Sequence, residues 1–517
     1  MPSSEDLKKI IENSFSYNGT SIILGAAKFQ DEVLSNCLIK APLKTFNRHG
    51  LIAGATGTGK TKTLQNIAEK LSQQGVPTLL MDIKGDLSGI SQPGSANAKI
   101  DERHAKIGME WKPSACPTEL LSISGEKGVK LRATVSEFGP VLFSKILELN
   151  DTQSGVVSLI FKYCDDKKWP LLDIKDFRKI CQYLQTDEGK NEVEKNYGLV
   201  SSVTLGAILR NLLELEQQGA DQFFGERSFE VNDLLRTDNN GHGYCNILRL
   251  ADIQSKPKLF STFMLCLMAE IYATLPEKGD MDKPQLCVFI DEAHLIFSEA
   301  SKALLDQITT IVKLIRSKGV GLYFITQDPT DVPEEILGQL GMKIQHALRA
   351  FTEKDRKAIK TVAENFPPSE FYKTSDLLTG LGIGEALITV LDEKGIPSPL
   401  MHTYLTAPQS RMDVITNDEM NAIVDNSRIA KFYNEVIDRE SAFEILSKKL
   451  ESIEEKEKEE QQEKEEEKEE KKSKNEKSTV EKVLNNSITK TVLREVTRGL
   501  LGVLGLKSST RKKSSWF

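Results

Sequence analysis

The stretch His49-GLIAGATGTGKTKTL-Gln65 governs how this chain is read. Its apolar opening, LIAGA, reads as a buried strand, and TKTLQNIAEKLSQQG reads as a helix ended by Gly75. Between them Gly54, Ala55, Thr56, Gly57, Thr58, Gly59, Lys60 and Thr61 spell a complete GxxxxGKT. Glycines at this spacing let backbone N–H groups wrap a phosphate, with Lys60 reaching the β- and γ-phosphates and Thr61 ligating Mg²⁺ at the helix N-terminus. The next apolar run, TLLMDI, is a second strand, so the unit is strand–helix–strand with a right-handed parallel crossover. The fold class is therefore α/β, and the implied cofactors are ATP and Mg²⁺.

Two more strand ends carry groups suited to the same chemistry. The strand LCVFI ends in Asp291-Glu292-Ala-His294. Asp291 is placed to hold Mg²⁺ through water, and Glu292 to polarise the attacking water. The strand GVGLYFITQ ends at Thr326-Gln327, where a polar side chain points into the crevice at the C-terminal ends of parallel strands. Gln327 there senses the γ-phosphate or orients water, the alternative being a turn cap before Asp328-Pro329. Arg316 and Arg349 are the two arginines to weigh as a finger reaching a neighbouring subunit's nucleotide, against ordinary surface ion pairs. Asp82, with Asp86, closes the TLLMDI strand and either organises Mg²⁺ and water or caps its loop. His294 reads as a packing or hydrogen-bonding residue.

Outward from these motifs, the 517 residues are 39% apolar and 28% charged, enough for a sizeable core. No apolar run approaches the roughly 18 residues of a membrane-spanning helix, and the start lacks a signal-peptide layout, so a cytoplasmic location is expected. Seven cysteines without a CxxC pair and six dispersed histidines offer no zinc site. The net charge of −7 is uneven: residues 451–477 hold 13 Glu and 8 Lys, 478–517 carry +6, and 1–450 carry −8. That argues against a broad, non-specific basic surface.

The expected organisation is an N-terminal helix and strand segment (1–48) and the first part of the ATPase core (49–130). A helical insertion (131–240) and the second part of the core (241–410) follow. C-terminal helices (411–450), a Glu/Lys-rich spacer (451–478) and a cationic amphipathic helix with tail (479–517) complete it. After TSIILGAA, about twenty residues read as loop or short strands. A helix is expected from about 428 to 450, and the Glu/Lys block is either a solvated helix or a disordered spacer.

The Asp-Glu-Ala-His string invites a reading as a two-lobed DEAH-box helicase. The 237 residues from Gly54 to Asp291 and the lack of a second lobe with an arginine-rich motif reject it. The ordered set of motifs instead resembles the HerA–FtsK group of DNA-pumping ATPases, and within it the bacterial HerA-like family of the YjgR type. The residues carrying the resemblance are HGLIAGATGTGKTKTLQ, LLMDIKGDLSGI, LELNDTQSGVVSLIF, ATLPEKGDMDKPQLCVFIDEAHLIF, VKLIRSKGVGLYFITQDPTDVP, ILGQLGMKIQHALRAFTEKD and LGIGEALITVLDEKGIPSP, spread over about residues 18–447. It implies a RecA-like P-loop core with helical insertions, ATP hydrolysis, six-fold assembly and DNA as the track. It also implies that Lys60 and Thr61 serve phosphate and metal, Asp291 and Glu292 serve magnesium and water, and Gln327 is the sensor. Arg316 matches the arginine that such rings present in trans. HerA proper begins with a β-barrel of well over a hundred residues, whereas about 48 precede the phosphate loop here, so barrel-mediated ring contacts and the nuclease partner are not carried over.

The tail from Val480 has apolar residues at helical spacing, punctuated by Lys482, Lys490, Arg494 and Arg498. Such a helix suits a partner groove, an anionic membrane surface, nucleic-acid phosphate, or its own core. Two functions follow from the sequence: a ring-forming ATP-driven DNA translocase, or an ATP-dependent switch or scaffold acting through a protein partner on 479–517 without DNA.

Overall fold

Buried apolar runs form the middle of the sheet. The computed structural model describes residues 3–253, 256–279, 281–298, 302–437 and 439–483. Its strands are β1 (Ser21–Phe29), β2 (Glu32–Pro42), β3 (Gly50–Ala53), β4 (Thr78–Asp82), β5 (Thr118–Ser122) and β6 (Val129–Lys130). β7 (Cys245–Arg249), β8 (Leu286–Ile290), β9 (Val320–Thr326), β10 (Met342–Gln345), β11 (Glu385–Thr389) and β12 (Met401–Leu405) follow. They make one sheet in the order β2-β1-β12-β11-β10-β3-β9-β8-β4-β7-β5-β6.

From β10 to β6 every neighbour is parallel, and the other edge, β11, β12, β1 and β2, is antiparallel. Every residue of β3, β4, β8 and β9 is buried. This is the pattern of parallel strands covered on both faces.

The helix Lys60–Gln73 buries Leu64, Ile67, Ala68 and Leu71, the i, i+3, i+4, i+7 face of an amphipathic helix. It joins β3 to β4, which are separated in the sheet by β9 and β8. The C-terminal ends of β3, β9, β8 and β4 are therefore side by side. That placement assembles the site.

Helices Val135–Ile146, Asp151–Lys167, Ile174–Tyr183, Asp187–Tyr197 and Ser202–Gln217 lie between β6 and β7. Three start with reciprocal capping boxes, Thr134 with Glu137, Asn150 with Gln153 and Asp173 with Asp176. Phe143, Phe161 and Phe177 pack together at ring separations of 4.8–6.0 Å.

Two local expectations differ from the structure. Where loop or short strands were expected after TSIILGAA, the chain finishes β1 and forms the 11-residue strand β2, paired with β1, before a short turn at Leu43–Arg48. The expected 428–450 helix is broken into Ala430–Tyr433 and Ala442–Val483. The break follows from Ser441, whose backbone N–H donates to Glu444 and whose hydroxyl donates to the buried Asp176 carboxylate. The Glu/Lys block is helical, and its residues 454–468 are exposed.

The chain divides into two units, Met1–Leu446 and Ser447–Phe517. The amphipathic tail from residue 484 lies outside the described residues. Among the described residues no single helix is long and apolar enough to cross a membrane, no cluster is spaced to hold a metal by itself, and the seven cysteines are free.

Candidate nucleotide site

The turn from β3 into the helix Lys60–Gln73 needs glycine at two positions for separate reasons. A Cβ on Gly54 would sit 2.5 Å from the His346 Cβ. Gly59, the residue before the helix, has φ 111°, in the region that favours glycine. With the loop so shaped, Lys60 is buried and its Nζ donates to the carbonyls of Gly54 at 2.6 Å and Ala55 at 3.2 Å. Burial lowers its pKa. The ammonium is thus held over the loop's own carbonyls. Thr61 follows it, half-buried, in the first turn.

β8 delivers the carboxylates. Asp291 is 2% exposed and its Oδ2 has no hydrogen-bond partner. Burial raises its pKa to about 6 against the lowering effect of the Lys84 charge. Glu292 turns out of the strand with φ 47°, a strained left-handed conformation for a non-glycine residue. Its Oε1 receives the Lys84 ammonium at 2.5 Å and the Gln327 amide at 3.5 Å. His294 Nδ1 lies 3.3 Å from its Oε2. Burial works against ionisation of Glu292, but the Lys84 hydrogen bond and charge, with His294 and Gln327, outweigh it and lower its pKa.

Gln327 at the end of β9 closes the circuit, its Oε1 accepting from the Thr56 hydroxyl at 3.2 Å. The phosphate loop, the sensor position and the Asp-Glu pair are therefore linked by side chains, Thr56 to Gln327 to Glu292.

Asp82, at the end of β4, does not join them. Its carboxylate accepts from the backbone N–H groups of Gly85, Asp86 and Leu87 at 2.7–3.1 Å. Of the two readings left open by the sequence, the loop cap is the one the geometry has. Arg316 begins the short turn that precedes β9, at the opposite end of that strand from Gln327. Arg349 is exposed in the loop after β10, on the phosphate-loop side.

Two residues in the site were not singled out from sequence. Lys84 follows β4, and it reaches Glu292 because β4 lies beside β8 in the sheet. His346 is buried behind Gly54, its Nε2 3.0 Å from the Thr63 hydroxyl, and burial lowers its pKa to about 4, leaving it neutral. The only sequence signal for Lys84 was its place in DIKGD next to a strand end. His346 carried none.

Comparison with known proteins fits this geometry. The family model for the helicase HerA-like C-terminal region matches residues 30–509. The chain belongs to that HerA-like family. The HerA-like chain is 22% identical over 369 residues to the DNA double-strand break repair helicase HerA of Sulfolobus acidocaldarius, covering 68% of this chain and 64% of that protein. It is 25% identical over 362 residues to a probable helicase of Methanocaldococcus jannaschii, covering 67% and 60%. The HerA-like chain thus spans less than two thirds of the length of these relatives. Among solved structures, the bacterial conjugative coupling protein TrwBdeltaN70 in its unbound monoclinic form superposes with a TM-score of 0.51 at 14% identity, over 80% of this chain and 95% of that one. The expected α/β fold with a mostly parallel sheet is shared with it.

Proposed function

We propose that this HerA-like chain is a Mg²⁺-dependent ATP hydrolase that moves DNA, working in the cytoplasm as a homo-oligomeric ring, with six subunits as in the resemblance. One observation carries the hydrolase reading. Lys60, Asp291, Glu292 and Gln327, spread over 268 positions of sequence, converge at the adjacent C-terminal ends of β3, β8 and β9.

The residues present fit the nucleotide and its metal. The glycine-shaped loop Gly54–Gly59 offers backbone N–H groups for phosphates, and the buried Oδ2 of Asp291, which accepts no hydrogen bond, with the Thr61 hydroxyl suits a divalent cation. Bound Mg²⁺ would supply charge neutralisation on the phosphates. Lys60 would exchange the Gly54 and Ala55 carbonyls for phosphate oxygens, a stronger charge-assisted bond. Glu292, held by the Lys84 ammonium, accepts the proton of the attacking water, and Gln327 orients that water from its position between Thr56 and Glu292. Arg316 lies at the far end of β9 from its own phosphate loop, and the family resemblance supports a role for it on a neighbour's nucleotide.

DNA as the track rests on family membership and on the relatives described as helicases. The test is displacement of a third strand annealed to duplex DNA. The wild-type protein with ATP and Mg²⁺ should strip it, and Lys60→Ala should not. Hydrolysis without displacement on duplex or single-stranded tracks would favour the nucleotide switch acting through residues 479–517.

A further inference from the structure

Where the helical insertion meets the core lies a cavity of about 220 Å³ that shares no residue with the nucleotide site. It is bounded by the first turns of the helix Val135–Ile146, the loop 223–231 and the last turns of the helix Pro257–Thr274. Phe138, Phe223 and Phe263 form an aromatic wall, with ring separations of 6.1 Å and 5.7 Å in that order, and Phe229 and Leu142 extend it. The helix that carries Phe138 is broken directly after it, since Gly139 has φ 66° and ψ 168° and Pro140 has no N–H to donate. On an unbroken helix Phe138 and Leu142 would stack as an i, i+4 pair. The break falls between them, and both line the cavity instead.

The rim of this apolar cavity carries an excess of negative charge. The helix Pro257–Thr274 presents Phe263, Cys266, Leu267 and Glu270 to it, at i, i+3, i+4 and i+7. Ala273 brings the last turn of that helix to the rim, where carbonyls without an intrahelical partner favour a positive charge. Glu270 is exposed there, and its Oε1 accepts from the Thr274 hydroxyl at 2.8 Å. Glu137 is exposed on the first helix, and both its hydrogen bonds, from the Thr134 N–H at 2.9 Å and the Ser228 hydroxyl, fall on Oε2. Among the described residues neither carboxylate has a cation at ion-pair distance. Burial raises the Cys266 pKa and the Glu270 and Glu137 charges add to the rise, so the field of both carboxylates reaches the cavity wall. Arg132 is the one cation among the lining residues, and its Nη1 is turned to the Glu226 and Tyr433 carbonyls, each at 3.1 Å.

We propose that this cavity binds a small amphipathic organic cation, a protonated amine on an aryl or short alkyl group, with its apolar body against the phenylalanines and its ammonium held by Glu137 and Glu270. The size sets the class. An apolar cavity of roughly 150 Å³ holds a benzene ring, so 220 Å³ takes a ring with a short arm. The aromatic wall attracts a cation through its ring faces as well as burying apolar surface. Two open carboxylates and a helix C-terminus outweigh the single Arg132, whose guanidinium already has carbonyl partners, so an anion of the same size is disfavoured.

Calorimetric titration of the full chain at pH 7 with three matched probes tests this. The probes 2-phenylethylammonium, 2-phenylethanol and 3-phenylpropionate share a phenyl ring on a two-carbon arm and differ in the charge of the head. The ammonium should bind with a dissociation constant below about 1 mM. The alcohol should bind about fivefold more weakly or worse, and the carboxylate most weakly of the three. No binding of the ammonium overturns the proposal. Equal affinity for ammonium and alcohol would make the cavity an apolar pocket without charge selection, and tighter binding of the carboxylate would assign it to Arg132. Either result also overturns the cation claim.

Two variants locate the binding. Ala269→Leu narrows the cavity and should weaken ammonium and alcohol alike. Glu270→Gln removes one charge from an exposed position, where the fold does not depend on it, and should weaken the ammonium about five- to tenfold while leaving the alcohol unchanged. Ammonium binding that survives both variants lies elsewhere on the chain and overturns the proposal. Since the cavity shares no residue with the phosphate loop or the Asp-Glu pair, ATP with Mg²⁺ should leave the ammonium's dissociation constant within about twofold. Displacement of the ammonium by ATP would assign it to Asp291 and Glu292 instead, which overturns the proposal and leaves the hydrolase reading intact.

Discussion

At the scale of single residues, Lys84 bears on the proposed chemistry through Glu292. It contacts Glu292 at 2.5 Å, which lowers that carboxyl's pKa, and approaches Asp291 at 3.8 Å. Replacing it with alanine removes the contact that offsets the burial of Glu292, so the carboxyl's pKa rises and it loses the partner that orients it. Lys84→Ala should lower the hydrolysis rate about 10- to 100-fold while nucleotide affinity, set by the loop around Lys60, changes little. Steady-state kinetics separate the two, and a variant with an unchanged rate would remove Lys84 from the site. This residue was illegible in sequence for a physical reason. Lys84 and Glu292 are 208 positions apart, and only the sheet order, with β4 beside β8, brings them into contact. Asp82 shows the converse, since its place at a strand end is visible in the sequence but its three amide partners are not.

At the scale of elements, the antiparallel edge is tied to the sheet by Glu385 on β11. Its carboxylate receives Lys28 of β1 at 2.7 Å and His402 of β12 at 2.9 Å, so one buried group joins three strands. Burial raises its pKa, but the hydrogen bonds from His402, Lys28 and the Gly382 N–H outweigh that and hold it at about 2. A carboxylate lowered in the folded state stabilises the protein above its unfolded pKa of about 4.5, and that contribution is lost as the pH falls toward 2. Glu385→Gln should therefore destabilise the protein at pH 7 by about 2–4 kcal/mol, because it leaves the Lys28 charge without its counter-charge in a partly buried setting. The difference from wild type should shrink between pH 4.5 and 2. Denaturant titrations at both ends of that window measure it, and a pH-independent difference would contradict the assignment.

The elements themselves were unevenly legible. β3, the helix after it, β4, β8 and β9 stand out because buried apolar runs and the glycine turn are local signals. The strand pairing of β2 and the break at Ser441 depend on partners far along the chain, β1 for the one and Asp176 for the other.

At the scale of the whole molecule, the order of the sheet assembles the candidate site. The C-terminal ends of β3, β9 and β8 hold the linked set Thr56, Gln327 and Glu292. At the other end of these strands His49 ties the start of β3 to β9, its ring bonded to the Leu322 backbone N–H and the Val312 carbonyl. Steady-state ATP hydrolysis, with and without duplex and single-stranded DNA and with Glu292→Gln as the reference, tests the central claim most directly. The account predicts Mg²⁺-dependent turnover, absent in Glu292→Gln and raised several-fold by one form of DNA. Turnover that survives Glu292→Gln would contradict the site, and turnover indifferent to both forms of DNA would contradict the motor.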